Sequence, residues 1–225
     1  MKKIFISLLC IFTACTALFS FGGCDTTVDY SQYVSEYRSE IYLAEQNGYS
    51  LSAFFCAREY PYRSDGVCAQ KQQTVEVYLT VPDNTKNYGI TFTLDGKECG
   101  GDMSYDSVHT RFFFSQSAES VPDSTIEFKI CFDEESVTLQ AKRMREGNEL
   151  SMPEIIAKLA EARAELFKSM TSGKTFTGEL YVRLVYNEKC YYFVAVSTDK
   201  GMERCFLLDA QTGEILAERK ISAQK

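Results

Sequence analysis

The chain has 225 residues, with 24 basic and 31 acidic side chains and a formal net charge of −7. A nucleic-acid partner is excluded, because such binding needs clustered Lys and Arg to displace counterions. The single histidine, His109, excludes a multi-histidine metal site, and we expect no cofactor.

The first 23 residues have the pattern of an export signal. Met1-Lys2-Lys3 is basic, residues 4–21 are mostly apolar, and Gly22 and Gly23 follow. Ser7, Thr13, Thr16 and Ser20 interrupt the apolar run, and a membrane span needs about 20 predominantly apolar residues. We therefore predict a secretory signal peptide over residues 1–23 rather than a transmembrane helix.

The end of this signal, Phe21-Gly22-Gly23-Cys24, resembles the lipobox of bacterial lipoproteins, although the usual first residue is Leu. The resemblance implies that Cys24 receives a diacylglycerol, becomes the first mature residue and anchors the protein to the outer face of the cytoplasmic membrane. Each buried methylene adds about 0.8 kcal/mol of membrane affinity, so several acyl chains anchor a protein stably. The alternative is a secreted protein cut nearby, with Cys24 an ordinary cysteine.

Charge divides the remaining chain into two parts. Residues 24–149 carry 11 basic and 21 acidic side chains, whereas residues 150–225 carry 11 and 10. The break predicts two units, 36–149 and 150–225. Residues 24–35 are polar without periodicity, which predicts a tether.

Alternating apolar residues dominate the first unit, with Val75, Val77, Leu79 and Val81 the clearest example. The same alternation predicts strands over 37–44, 49–58, 74–81, 88–94, 108–114, 126–132 and 137–142, and Asp95-Gly96 predicts a hairpin turn. About seven short strands favour an Ig-like antiparallel β-sandwich, although the signature Trp is missing from the chain.

The second unit changes to a helical pattern. Ser151-Met152-Pro153-Glu154 fits a capping box, and apolar residues at three- and four-residue steps continue the helix toward Gly173. Strands follow near 176–186, 190–197, 202–209 and 214–219, which predicts an α+β unit with a helix and a four-stranded antiparallel meander.

The strand over 176–186 has two contrasting faces. Leu180, Val182 and Leu184 alternate with Tyr181 and Arg183. One face must cover the apolar stripe of the helix, so we expect the other to remain as a partly aromatic, charged binding surface.

The last hairpin of this unit reads Asp209-Ala210-Gln211-Thr212-Gly213-Glu214 between apolar strands. It resembles the closing hairpin of PepSY-type domains, over about the last 70 residues of the chain. The resemblance implies a non-catalytic domain found in secreted or membrane-attached bacterial proteins, often beside peptidases that it binds or restrains. The alternative is a coincidental hairpin, because Asp209, Thr212 and Gly213 are also good turn residues.

Two other polar stretches have simple structural explanations. His109 alternates with Arg111 and Phe113, which favours a surface strand residue over a catalytic one. Asp133-Glu134-Glu135 favours a solvated acidic turn over a calcium site.

Six cysteines follow Cys24, namely Cys56, Cys68, Cys99, Cys131, Cys190 and Cys205. Cys56 and Cys68 are symmetric about Tyr62, so a hairpin there permits a disulfide in an oxidising compartment. Cys205 should oppose Ala195, which leaves Cys190 more than about 15 Å away, beyond disulfide reach. Free buried thiols remain the alternative.

The loop over 58–66 is the candidate recognition loop. It places Arg58, Tyr60, Tyr62 and Arg63 around Pro61, a composition found at binding surfaces. The alternative is a turn whose tyrosines cover the end of the sandwich.

Together these features predict a lipid-anchored cell-surface binding or regulatory module that is not an enzyme. Its partners would be the membrane, through the lipid, and a protein or peptide such as an extracytoplasmic peptidase. The alternatives are an extracytoplasmic hydrolase that uses carboxylates and an envelope structural protein without a ligand. A hydrolase would need convergent carboxylates with a raised pKa.

Overall fold

The computed structural model describes residues 28–63, 68, 70–198 and 201–221, with the backbone alone at 202 and 203. The described chain is mostly antiparallel β-sheet with two short α-helices, which confirms the prediction of a β-rich fold.

Nine strands precede the helices in the described part of the chain. They are β1 Val34–Gln46, β2 Tyr49–Glu59, β3 Lys71–Thr80, β4 Gly89–Leu94, β5 Lys97–Asp102, β6 Ser104–Asp106, β7 Arg111–Ser117, β8 Ile126–Phe132 and β9 Glu135–Arg143. Val75, Val77 and Leu79 are fully buried, which confirms that the alternating apolar residues form the buried face of β3. Asp95 and Gly96 both have positive φ, 48° and 75°, as the tight turn between β4 and β5 requires.

These strands form one folded sheet in the order β6-β7-β3-β2-β1-β9-β8-β4-β5. Its inner face holds a first hydrophobic core that includes Phe55, Val77, Phe128 and Leu139. The strand order gives no support to the Ig-like arrangement, because β1 pairs with both β2 and β9 and so makes the sheet continuous. A bulge between Arg38 and Glu40 helps this long strand to bend.

The second part contains two helices and six strands. They are α1 Met152–Ala162, α2 Ala164–Ser169, β10 Thr171–Ser172, β11 Thr175–Phe176, β12 Glu179–Asn187, β13 Lys189–Thr198, β14 Gly201–Asp209 and β15 Ile215–Lys220. Ser151 is the N-cap of α1, and its N–H donates to the Glu154 carboxylate at 2.7 Å. The single predicted helix is divided at Arg163, which leaves helical geometry (φ −128°, ψ 41°) and donates to Glu218 of β15.

Strands β12 to β15 form the predicted antiparallel meander, and Cys205 lies opposite Ala195 as expected. Leu180, Val182 and Leu184 are fully buried in a second core with Ile155 and Leu159 of α1. Tyr181, Arg183 and Val185 remain half-buried on the opposite face. The predicted division of β12 into a packing face and an open face is therefore confirmed.

The turn after β14 is held by the Asp209 carboxylate. It accepts the backbone N–H groups of Gln211 and Thr212 at 2.9 and 3.0 Å, and Lys189 Nζ donates to it at 2.6 Å. The Lys189 hydrogen bond, with help from the Thr212 N–H, lowers the pKa of Asp209 to about 2. Gly213 supplies the positive φ of 74° that closes the turn, so the predicted turn chemistry is confirmed.

Strand β1 connects the two parts of the fold. Its N-terminal half pairs in parallel with β12, with Val34 opposite Leu180. Val34 and Ile41 lie in the second core, whereas Tyr42 and Ala44 lie in the first. One strand therefore contributes side chains to both cores.

The described part of the predicted tether, residues 28–35, is packed rather than extended into solvent. Tyr30–Tyr33 is a 3₁₀ helix, and Tyr33 accepts a hydrogen bond from the backbone N–H of Phe176 at 3.2 Å. The ring of Tyr30 lies 4.8 Å from that of Phe167, edge to face. Aromatic contacts that polarity patterns do not predict therefore attach this segment to the second core.

The segment between β9 and α1 is fixed by ion pairs. Glu40 of β1 accepts Arg143 Nε and Nη2 at 2.8 and 2.7 Å and Arg145 Nη1 at 3.3 Å. Arg145 also donates to Glu149 at 3.3 Å. The predicted boundary between the two units therefore lies in an ordered connection.

We expect Glu40→Ala to lower the free energy of unfolding by about 3 kcal/mol, because it leaves two largely buried arginines without their shared carboxylate. Glu45→Ala, an exposed position on the same strand, should change it by less than about 0.5 kcal/mol. Urea denaturation followed by circular dichroism measures both. Equal effects would show that the Glu40 ion pairs do not stabilise the fold.

Candidate functional site

Five consecutive strands, β12-β1-β2-β3-β7, present one charged and aromatic face. The register places these side chains on the same side of the sheet, because cross-strand partners point to the same face. We call this surface the polar sheet face; it comprises Tyr181, Arg183, Glu36, Arg38, Phe54, Cys56, Arg58, Glu76, Tyr78, Arg111 and Phe113.

Its charges alternate across four strands. Glu36 accepts Arg183 Nε at 2.5 Å and Arg58 Nε at 2.8 Å, and Arg58 Nη1 also donates to Glu76. The series Arg183, Glu36, Arg58, Glu76 therefore runs from β12 to β3. Each inner charge lies between two opposite charges, which fixes the side chains in one arrangement.

The two carboxylates of this series are buried, and hydrogen bonds from two arginines favour the ionised form of Glu36. Glu36 is 7% exposed and Glu76 is 3% exposed. Burial alone would raise the pKa of Glu36, but hydrogen bonds from Arg183 and Arg58 outweigh it and hold the pKa below its ordinary value of 4.5. Glu36 is thus a fixed negative charge rather than a proton donor.

Aromatic rings lie beside these charges. The Arg38 guanidinium lies 4.0 Å from the centre of the Phe54 ring, and the Arg111 guanidinium lies 4.0 Å from that of Tyr78. Tyr78 in turn contacts Phe54 and Phe113, with ring centroids 5.8 and 5.1 Å apart. Rigid rings and oriented arginines are the groups most enriched at protein-binding hot spots.

The candidate recognition loop adjoins this face. Arg58 belongs to the charge series, and Tyr62 donates to Glu179 at 3.0 Å, as does Tyr181 at 2.9 Å. Tyr60 is 65% exposed and Tyr62 59% exposed, and Arg63 is also exposed. The structure therefore brings the loop, as far as Arg63, and the polar sheet face together. Residues 64–67 lie outside the described part of the chain.

The predicted disulfide between Cys56 and Cys68 is not formed, since both are free cysteines. Cys56 lies opposite Thr74, so the register of β2 and β3 does not place it opposite Cys68. Cys56 is buried, and burial, together with the Glu76 charge, raises the pKa of its thiol to about 11. The thiol is therefore neutral at physiological pH and poorly nucleophilic.

Cys24, the predicted lipid-attachment residue, lies outside the described residues. The remaining predicted positions are described but are not part of the polar sheet face. His109 lies in an exposed turn before β7 rather than on the strand, 2.7 Å from Asp106 Oδ2. Asp133 lies in the β8–β9 turn and pairs with Lys86 at 3.0 Å.

The described residues contain no group of three or more His, Cys, Asp or Glu placed to hold a metal. None of the described helices is long and apolar enough to cross a bilayer.

An open hollow of about 470 Å³ on the β4, β5 and β8 strands contains other carboxylates. Asp95 accepts the Ser120 hydroxyl, and Glu127 accepts Gln140 Nε2 at 2.5 Å. Both carboxylates are therefore held by neighbouring side chains. This hollow is separate from the polar sheet face.

Sequence reasoning missed Glu36, Arg38 and Glu76 as site residues. The alternation did place Glu76 and Tyr78 on the polar side of one strand. It could not show that Arg183 reaches Glu36, which is 147 residues away in the chain. Charged residues on the polar side of successive strands are the signal that could have found them.

No protein-family model, curated protein or solved structure matches this chain. The functional argument therefore rests on the geometry of the site.

We predict that Arg183→Ala raises the pKa of Glu36, because burial is then opposed by one arginine instead of two. Carbon-detected NMR titration of the Glu36 carboxyl group measures this pKa. Arg219→Ala is the control, since β15 is four strands from β1, roughly 19 Å at the usual strand spacing.

The lowered pKa of Glu36 in the wild-type protein also determines how the stability of the fold depends on pH. The pKa of Glu36 is lower in the folded protein than in the unfolded chain, so its ion pairs stabilise the fold above pH 4.5. This contribution should disappear as the pH falls through the folded-state pKa. A wild-type midpoint at or above 4.5 would contradict the geometry.

Proposed function

We propose that the protein is a lipid-anchored binding or regulatory module on the outer face of the cytoplasmic membrane. Its partner-binding surface is the polar sheet face together with the adjoining recognition loop. The observation that carries this proposal is the fixed series Arg183, Glu36, Arg58, Glu76 beside exposed aromatic side chains. Such a surface favours a protein partner, because ordered side chains lose little conformational entropy on binding.

The partner that we propose is an extracytoplasmic peptidase. The chain would bind or restrain this peptidase and would itself catalyse no reaction. This rests on the PepSY-like resemblance of residues 209–214, which remains part of the proposal. The Ig-like relationship of residues 36–149 remains a prediction. The anchor at Cys24 rests on the lipobox resemblance.

The hydrolase alternative is less well supported. A carboxyl group that acts as a general acid needs a raised pKa. The described carboxyl groups with a shifted pKa, including Glu36, Glu149 and Asp209, are all shifted downward by their hydrogen bonds. This pattern favours binding over acid–base chemistry.

Site-specific photo-crosslinking in intact cells tests the proposal. A benzophenone amino acid at Ser115, an exposed position on β7 directly opposite Glu76 of this face, should give an adduct with one protein identifiable by mass spectrometry. The same group at Thr93, exposed on β4, is the matched control and should not give that adduct. A peptidase in the Ser115 adduct supports the proposed partner.

Detergent phase separation of the same samples tests the anchor independently. The adduct should partition into the detergent phase, and Cys24→Ala should prevent this partitioning. Equal adducts from both positions, or none from Ser115, would contradict the binding face. Partitioning unaffected by Cys24→Ala would contradict the anchor alone.

A further inference from the structure

One arginine on the polar sheet face has no carboxylate partner. Arg58 and Arg183 pair with Glu36 at 2.8 and 2.5 Å, and Arg111 lies 3.7 Å from Asp106. No described carboxylate lies within 4 Å of the Arg38 guanidinium. Its Nε is buried and has no hydrogen-bond partner among the described residues, as is also true of Arg111 Nε, so the lack of a carboxylate is what distinguishes Arg38.

Packing rather than a counter-ion orients this arginine. The guanidinium lies 4.0 Å from the centre of the Phe54 ring, and Phe54 packs edge to face against Tyr78. The cross-strand neighbour of Arg38 is Cys56, whose thiol is neutral at physiological pH because burial raises its pKa to about 11. The positive charge is therefore held in place without a described carboxylate in direct contact.

A half-buried guanidinium without a counter-ion is unfavourable, and a ligand that supplies a carboxylate offsets this cost. The planar guanidinium matches a carboxylate in two-point geometry. A phosphate dianion fits less well, because the buried carboxylates Glu36 and Glu76 lie on the same face and would repel the second charge. A single negative charge on a protein segment is the complement that this site favours.

We infer that Arg38 is the specificity-determining residue of the binding face and that it binds an aspartate or glutamate side chain of the partner. The inference rests on the proposed function, because it takes the polar sheet face as the binding surface. The acidic side chain lies against the exposed edge of the guanidinium. The neighbouring partner residues pack on the rings of Phe54 and Tyr78.

Two short peptides test this chemistry directly. Acetyl-Val-Asp-Val-amide is titrated into the full-length protein, and acetyl-Val-Asn-Val-amide, its uncharged isostere, is the control ligand. NMR follows the Nε–Hε resonance of Arg38. We expect the Asp peptide to shift this resonance and to bind about tenfold more tightly than the Asn peptide, as for a charge-assisted hydrogen bond. No shift with either peptide, or equal shifts with both, would overturn the inference.

Two arginine-to-methionine variants test whether binding of the Asp peptide depends on Arg38. Arg38→Met keeps an unbranched side chain over Phe54 and removes the charge, so it should reduce binding of the Asp peptide to the level of the Asn peptide. Arg163→Met removes an arginine that lies 6.0 Å from the centre of the Phe206 ring and pairs with Glu218 at 2.8 Å, outside the polar sheet face. It should leave binding of the Asp peptide within about twofold, because Arg163 is not part of the proposed binding surface.

The melting temperature provides a check on folding. Arg38 has no counter-ion, so Arg38→Met should leave the melting temperature unchanged or raise it. If the variant unfolds instead, the resonance shift in the wild-type protein still decides the question. Unchanged Asp-peptide binding in folded Arg38→Met would overturn the inference.

These results separate the inference from the proposed function. A Ser115 adduct that persists in Arg38→Met, together with failure of the peptide test, refutes the role of Arg38 and leaves the binding face intact. Arg38-dependent peptide binding without any Ser115 adduct keeps the carboxylate site and refutes the proposed cellular function.

Discussion

Strand β1 is the constraint on which the rest of the structure depends. It hydrogen-bonds to β2, β9 and β12, and its side chains enter both hydrophobic cores. Removal of this strand would leave β12 as a sheet edge and would open the sheet around the first core. The charge break near residue 150 therefore separates two parts of the chain that differ in composition, although both pack against β1.

The polar sheet face is a consequence of this sharing. Glu36 can meet Arg183 only because β1 and β12 are paired, and it meets Arg58 because β2 is the other neighbour of β1. The carboxylate thus joins the meander to the longer strands of the first part. Fixed charges on a continuous sheet provide a preorganised surface, which is the feature on which the proposed binding function rests.

Local signals in the sequence predicted much of the fold. The alternation of Val75, Val77 and Leu79 identified β3, and Asp95-Gly96 identified the turn between β4 and β5, because strand faces and tight turns depend on neighbouring residues. The capping box at Ser151 and the turn at Asp209 were found for the same reason. Strands β5 and β6 were missed, since Gly100 and Gly101 in β5 break the apolar pattern.

Contacts between distant residues could not be predicted in this way. The parallel pairing of β1 with β12 brings together residues about 145 positions apart, and no local pattern encodes it. The contacts of Tyr30 with Phe167 and Phe176 join residues that are similarly far apart in the chain. The recognition loop was predicted from composition alone. Its contact with the sheet face depends on Glu179 of β12, which accepts a hydrogen bond from Tyr62 and is 117 residues away in the chain.

The central claim is that β1 makes the two cores one cooperative unit. Methyl NMR during urea unfolding tests it most directly, with Val77 and Leu139 reporting on the first core and Val182 and Leu184 on the second. We predict that the native methyl resonances of both cores disappear at the same urea concentration. Loss of one core's resonances while the other's remain would contradict the claim.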